Sequence, residues 1–200
     1  DVLGAVAAAT PGPYLHIGGD EAHSTERADY VAFVELLQQE VLRLGKRMVG
    51  WEEITAASLH QSTIVQHWLR PETAAAAPDG CRFVMSPARH TYLDMKHQAD
   101  DRLGRRWAGM IDLDTIYQWD PAMLIDGVDD RRIAGVEAPL WTEKVRTFDA
   151  VQTLCFPRLV CLAEVGWTPQ HERVWETFEP RLSTVTDALG KSFKPSAVRF

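Results

Sequence analysis

The 200-residue sequence has no run of lysine and arginine, no apolar stretch long enough to cross a bilayer, and no cysteine in a metal-binding pattern. Its 21 basic and 28 acidic residues leave a formal net charge of −7. Nothing in that balance could track a phosphate backbone, so nucleic acid is not an expected partner. A membrane span needs roughly 18 to 20 uncharged apolar residues, and no segment approaches that length. The opening residues, DVLGAVAAATPGP, have no basic start ahead of their apolar part, so no signal peptide is expected either. The location is left undetermined by this, secreted and cytoplasmic alike. The three cysteines, Cys81, Cys155 and Cys161, form neither a CxxC nor a Cys/His pattern, and buried free thiols are the expectation. Cys155 and Cys161 fall in one predicted helix, where six residues is about 600° of rotation and places them on different faces. No metal and no cofactor are implied.

What remains is an ordinary globular composition, 46% hydrophobic and 24% charged, sufficient for a sizeable core. Short β-branched or apolar runs recur at 14–19 (YLHIGG), 47–51 (RMVGW), 63–68 (TIVQHW), 82–87 (RFVMSP) and 132–141 (RIAGVEAPLW). Most are followed by helix-like sequence, which predicts parallel β/α units. After the first run, Phe33, Leu37, Val41 and Leu44 repeat at three- and four-residue spacing before Gly45, predicting an amphipathic helix that packs this stripe on the sheet. Residues 148–167 predict a buried helix whose start or kink is set by Pro157, and 173–190 a closing amphipathic helix broken near Pro180. Residues 88–131, with Tyr92, Asp94, Trp107 and Trp119, fit no such rhythm; a connection of that length is usually a functional loop.

The chemistry gathers where strands stop: Asp20 and Glu21 after the first, Trp51 and Glu52 after the second, Trp68 after the third, Trp141 and Glu143 after the last. In parallel β/α folds the carboxyl ends of the strands form the ligand site, so these groups are expected to face one pocket. Tryptophans with carboxylates suit a sugar, because indole faces pack on pyranose C–H surface while acids accept from hydroxyls. Neighbouring strand residues point to opposite faces, so Asp20 and Glu21 can share a pocket only where the chain turns, which Gly18 and Gly19 permit. Two protein carboxylates acting across an anomeric carbon usually come from different strands. Adjacent acids fit better if one protonates a leaving oxygen while the other assists a nucleophile belonging to the substrate. His16 is expected to be a satisfied core or second-shell residue rather than a metal ligand. Glu52, Glu53 and the acid pairs at 100–101 and 129–130 are expected to be surface charge.

Taken together, HIGGDE, GWEEI, VQHW, YLDM, WAG and APLWTE resemble, in order, the catalytic barrel of family 20 glycoside hydrolases, the β-N-acetylhexosaminidases. The resemblance runs from Tyr14 to about Trp167. It implies an α/β fold, a partial (β/α)8 TIM barrel covering about strands four to eight with their helices. The chain would be the C-terminal part of the catalytic barrel, without the first strands and the preceding domain. It also implies roles: Glu21 as general acid/base, Asp20 holding the 2-acetamido N–H, and Tyr92 donating to the acetamido oxygen. Trp51, Trp68 and Trp141 would wall the pocket, Asp94 and Glu143 would bind ring hydroxyls, and Trp107 would stand at the edge. The implied partners are N-acetylhexosamine-terminated oligosaccharides or glycoconjugates. Five strands cannot close an eight-stranded barrel, so self-association of the chain alone is a further expectation. A catalytically silent sugar-binding fragment is the alternative reading.

Overall fold

The computed structural model describes residues 2–192. It divides into two compact units, Asp1–Met85 with Pro121–Gly135, and Ser86–Asp120 with Val136–Phe200.

The first unit carries helix α1 (Val2–Ala9), strand β1 (Tyr14–His16), helix α2 (Arg27–Arg43), strand β2 (Arg47–Trp51), strand β3 (Ile64–His67), helix α3 (Pro71–Ala74), strand β4 (Arg82–Met85) and strand β5 (Ile133–Val136). The five strands form one sheet in the order β1-β2-β3-β4-β5. The first three pairings are parallel, as the alternation of strand and helix predicts. Register sets what shares a face. Leu15 pairs Met48, Gly50 pairs Val65, Val65 in turn pairs Phe83, and His67 pairs Met85, so these buried residues line one side. His16, Trp51, Gln66 and Val84 point to the other. This is a partial (β/α)8 barrel sheet, and among the described residues β1 and β5 are its edges.

Helix α2 packs on β2, but with a different stripe from the one expected. Val34, Gln38 and Val41 are buried, whereas Phe33 is 59% exposed. Gln38 accounts for the rotation: its amide donates to the Ser58 carbonyl and its oxygen accepts from the His60 N–H at 2.8 Å, tying the β2–β3 connection to the helix. A buried polar side chain with these partners outweighs the packing of one phenylalanine.

The second unit holds α4 (Ala88–Thr91), α5 (Leu113–Tyr117), α6 (Phe148–Cys155), α7 (Arg158–Trp167) and α8 (Trp175–Ser192). The predicted helix at 148–167 is two helices separated at Pro157, which places Cys155 and Cys161 on different elements; both are buried and free, as is Cys81. Helix α8 runs through Pro180 without a break. Proline there removes one N–H, and the buried side chains of Phe178 and Leu182 on either side hold the helix to the unit. Tyr117 stacks on Phe178 with ring centroids 5.1 Å apart.

Arg158, wholly buried, organises the long segment that fits no β/α rhythm. Its guanidinium donates to the carbonyls of Met95 at 3.0 Å and Ile111 at 3.1 Å, and to those of Leu93 and Leu154. Burial brings its pKa down to about 10, with Asp101 and Asp94 among the charges that oppose the shift. Each buried carbonyl left without a donor costs about 1 to 3 kcal/mol, so Arg158→Met should destabilise the protein by at least about 3 kcal/mol in urea unfolding. A loss under about 1 kcal/mol would show that the clamp is dispensable.

Candidate active site

In the first unit the chain leaves β1 through Gly18 (φ 75°) and Gly19 (φ 106°). A Cβ on Gly19 would stand 2.7 Å from Ile54 Cγ2, and one on Gly50 would stand 2.9 Å from the same side chain. The two glycines let the chain close over wholly buried Ile54. The Gly18 carbonyl accepts from the Trp51 N–H at 2.9 Å, and the Gly19 carbonyl from the Tyr30 hydroxyl at 2.7 Å. Burial first, then the charges of Glu53 and Asp20, pushes Tyr30 up to about 12.

This turn delivers Asp20 and Glu21, both exposed. Glu21 has φ 51°, the sole positive value on a non-glycine residue among those described, a conformation that costs about 1 to 2 kcal/mol. Strain of this kind persists where surrounding structure enforces it. Asp20 borders a cavity of about 480 Å³ lined also by Gly19, Tyr30, Phe33 and Leu37. His16 accepts from the Gly18 N–H at Nδ1, which leaves its proton on Nε2, 3.0 Å from Gln66 Oε1. It is satisfied, yet exposed on the sheet face rather than in the core, with its ring 5.6 Å from that of Trp51.

Glu52 and Glu53 overturn the surface-charge expectation. Glu52 is 1% exposed, with Oε2 2.5 Å from His67 Nδ1. Its carboxylate also accepts three successive backbone N–H groups, from Trp68 at 3.0 Å, Leu69 at 3.2 Å and Arg70 at 2.6 Å. Consecutive amides converging on one anion form a nest, here filled from within the protein. Half-buried Glu53 accepts from the Trp68 indole N–H at 3.2 and 3.3 Å and from the Glu21 N–H at 3.4 Å. Burial raises its pKa, against those hydrogen bonds. Trp51 and Trp68 meet edge to face, with centroids 6.5 Å apart. The 310 turn of residues 52–56 accounts for the miss: it buries Glu52 and Ile54 together, whereas adjacent acids in a loop read as solvated.

The second unit gathers Tyr92, Asp94, Trp107, Trp141 and Glu143. Tyr92 is 3% exposed and takes Trp107 edge-on at 5.8 Å and Trp141 at 5.9 Å. The Leu93 N–H donates to the Pro139 carbonyl at 2.8 Å, joining YLDM to APLW. Asp94 is 2% exposed, and neither carboxylate oxygen has a hydrogen-bond partner among the described residues. Burial raises its pKa, opposed by the nearby amides of Asp94 and Trp141 and by the Arg105 charge. Arg105 Nη1 also lies 3.4 Å from Glu143 Oε1 at the surface. Trp119 instead stacks on His90 inside the unit, at 5.4 Å. No group of three or more His, Cys, Asp or Glu among the described residues is arranged to hold a metal.

Strand-end carboxylates on a glycine turn, beside paired indoles, stand on a sheet of the β/α barrel class. Residues 24–170 match the model for glycosyl hydrolase family 20, catalytic domain, and the chain belongs to that family. It is 41% identical over 187 residues to a beta-N-acetylhexosaminidase of Cellulomonas fimi, covering 92% of this chain and 38% of that protein. A beta-hexosaminidase of Vibrio furnissii is 31% identical, over 82% of this chain and 31% of its own length. Among solved structures, the beta-N-acetylhexosaminidase of Streptomyces coelicolor superposes with a TM-score of 0.91 at 40% identity, over 100% of this chain and 42% of that one. The Streptomyces plicatus N-acetyl-beta-hexosaminidase, solved with Thio-NAglucal, gives 0.85 at 44% identity, over 90% of this chain and 38% of that one. The chain thus spans about a third to two fifths of the length of these relatives.

His97 provides a test of the second unit's burial. Burial first, then the Arg158 charge, lowers its pKa from the usual 6.5 to about 4. The unfolded chain therefore binds a proton that the folded chain refuses between these values, so stability is fully present above pH about 6.5 and falls toward pH about 4. The urea midpoint of the protein should drop more steeply across that window than that of His97→Gln. Equal slopes would contradict the burial of an uncharged imidazole.

Proposed function

We propose that this chain is the C-terminal part of the catalytic barrel of a longer β-N-acetylhexosaminidase, which hydrolyses terminal non-reducing N-acetyl-β-hexosamine residues with retention through an oxazolinium intermediate. The observation that carries this reading is the turn itself: Asp20 and Glu21 are adjacent, both exposed, with Glu21 held in a left-handed conformation. One carboxyl then serves the leaving group while its neighbour serves the substrate's own nucleophile.

In the proposed reaction the acetamido oxygen attacks the anomeric carbon as Glu21 gives its proton to the departing glycosidic oxygen. Asp20 holds the acetamido N–H and supports the positive charge that spreads over the forming ring. Glu21, now a carboxylate, removes a proton from the water that opens the oxazolinium. Tyr92 donates to the attacking oxygen, while the indoles of Trp51, Trp68 and Trp141 pack on the acetamido methyl and sugar face, and Trp107 stands at the edge. Asp94 and Glu143 accept from ring hydroxyls. The buried carboxylate of Asp94 supports its part, since a hydroxyl donor would relieve the cost of its desolvation. His16 orients the inner end of the turn through Gly18 and Gln66.

Because β1 and β5 are open sheet edges and side chains such as Tyr14 are exposed, the 200-residue chain alone is proposed to lack turnover and to self-associate. Nitrophenyl N-acetyl-β-glucosaminide hydrolysis by a monomeric preparation of these residues would contradict that.

In the full-length protein, Glu21→Ala should lose far more rate on a chitobiose-type disaccharide than on the nitrophenyl glycoside, whose phenolate leaves without a proton. Asp20→Ala should be damaged on both alike; the reverse pattern in kcat/KM would exchange the two roles. Removing one donor aimed at an attacking oxygen costs about 2.7 to 4 kcal/mol, so Tyr92→Phe should lower kcat roughly 10²- to 10³-fold. A change within about threefold would remove Tyr92 from the mechanism.

A further inference from the structure

The Glu53 carboxylate joins two parts of the first unit to which the proposed reaction assigns work. One oxygen, Oε1, accepts from the backbone N–H of Glu21 at 3.4 Å and from the Trp68 indole N–H at 3.3 Å, and Oε2 accepts from the same indole at 3.2 Å. Glu21 is the strained residue, and a left-handed conformation needs something outside the residue to hold it. Trp68, 9% exposed, is fixed at its main chain by Glu52 through its N–H and at its ring by Glu53. The two neighbouring glutamates thus hold one tryptophan at both ends, and the second reaches across to the turn after β1. Glu53 is half-buried with no cation paired to it among the described residues, although burial alone disfavours its charged form. Replacement by a neutral, hydrophobic side chain would avoid that cost but leave both N–H groups without this acceptor.

We infer that Glu53 is a positioning residue for the glycosidase reaction, setting the backbone of Glu21 and the indole plane of Trp68 in register with each other. The inference rests on the roles proposed for those two residues. Glu53 touches neither the sugar nor the leaving group; its influence passes through one peptide N–H and one indole N–H. Misplacing a catalytic group by about 1 Å can cost on the order of 10²-fold in rate. The loss should then carry the signature of the group displaced.

The experiment compares Glu53→Ala, Glu53→Gln and Trp68→Phe in the full-length protein, using a chitobiose-type disaccharide and the nitrophenyl glycoside. Glu53→Ala should lower kcat about tenfold or more further on the disaccharide than on the aryl substrate, because a displaced acid matters most where a leaving oxygen needs its proton. Glu53→Gln keeps an acceptor at both N–H groups and should recover most of the loss. For the indole, Glu53→Ala added to Trp68→Phe should raise KM no more than about twofold beyond Trp68→Phe alone. Should Glu53→Ala fail to fold, Glu53→Met takes its place, with similar length and no acceptor. Equal losses on both substrates, or no loss, or no recovery by Gln, would overturn the inference. Glu21→Ala is run beside these variants: if it shows the leaving-group selectivity and the Glu53 variants do not, the inference fails while the reading of Glu21 stands. If Glu21→Ala shows none, the assignment of Glu21 fails and this inference with it.

Discussion

Charge buried against main-chain groups is the interaction on which the strand-end architecture depends. In the first unit, Glu52 sits among the amides of Trp68, Leu69 and Arg70 and against His67. In the second, Arg158 sits among the carbonyls of Leu93, Met95, Ile111 and Leu154. Irregular backbone at the end of a strand cannot satisfy itself by ladder or helix bonds, and buried peptide groups must find partners somewhere. One anion placed among donors and one cation placed among acceptors meet that need, and each is in turn solvated by the loop it orders. Either substitution to an apolar residue would leave several peptide groups without partners at once, which ties loop geometry to a single side chain.

Several of the groups assigned to the proposed reaction hang on these two centres. Trp68 begins the amide run on Glu52, while Asp94 lies between the two residues, Leu93 and Met95, whose carbonyls Arg158 holds. Tyr92 precedes that pair, and its ring is framed by Trp107 and Trp141. Rigid support of this sort suits a reaction whose protein contribution is to orient a substrate's own nucleophile rather than to supply one. The turn after β1 is held differently, by Tyr30 on the Gly19 carbonyl, Ile54 beneath the glycines and Glu53 on the Glu21 amide. It is also where backbone strain collects, at Glu21.

Much of the fold was legible because parallel β/α units leave strong local marks. Short β-branched runs, the stop at Gly45 and the glycines before Asp20 each signal their element through backbone preference alone. The sheet order follows from that rhythm. Less legible were features decided by partners distant in the chain. Gln38 turns α2 by one residue because it bonds to the β2–β3 connection, and no periodicity in the helix announces it. Glu52 looks like a solvated acid until three amides from residues 68–70 close around it. Pro180 marks a break in the local sequence, yet Phe178 and Leu182 pack deeply enough for α8 to continue through it. Tyr92, Asp94 and Trp107 stood out as chemistry in a non-repeating segment, but the arginine that organises that segment lies more than sixty residues away from Leu93 and Met95, in a helix that reads simply as apolar.

In the proposed reaction the substrate's acetamido oxygen, and no carboxylate of the protein, attacks the anomeric carbon. That oxygen can be weakened without touching the protein, by replacing the acetyl group of a nitrophenyl N-acetyl-β-glucosaminide with mono-, di- and trifluoroacetyl groups. Each fluorine withdraws electron density from the nucleophile. The full-length protein should show log kcat/KM falling steadily along the series, with no glycosyl-protein adduct by intact mass after incubation with a 2-fluoro sugar. A rate indifferent to fluorination, together with an adduct at a carboxylate, would contradict the account.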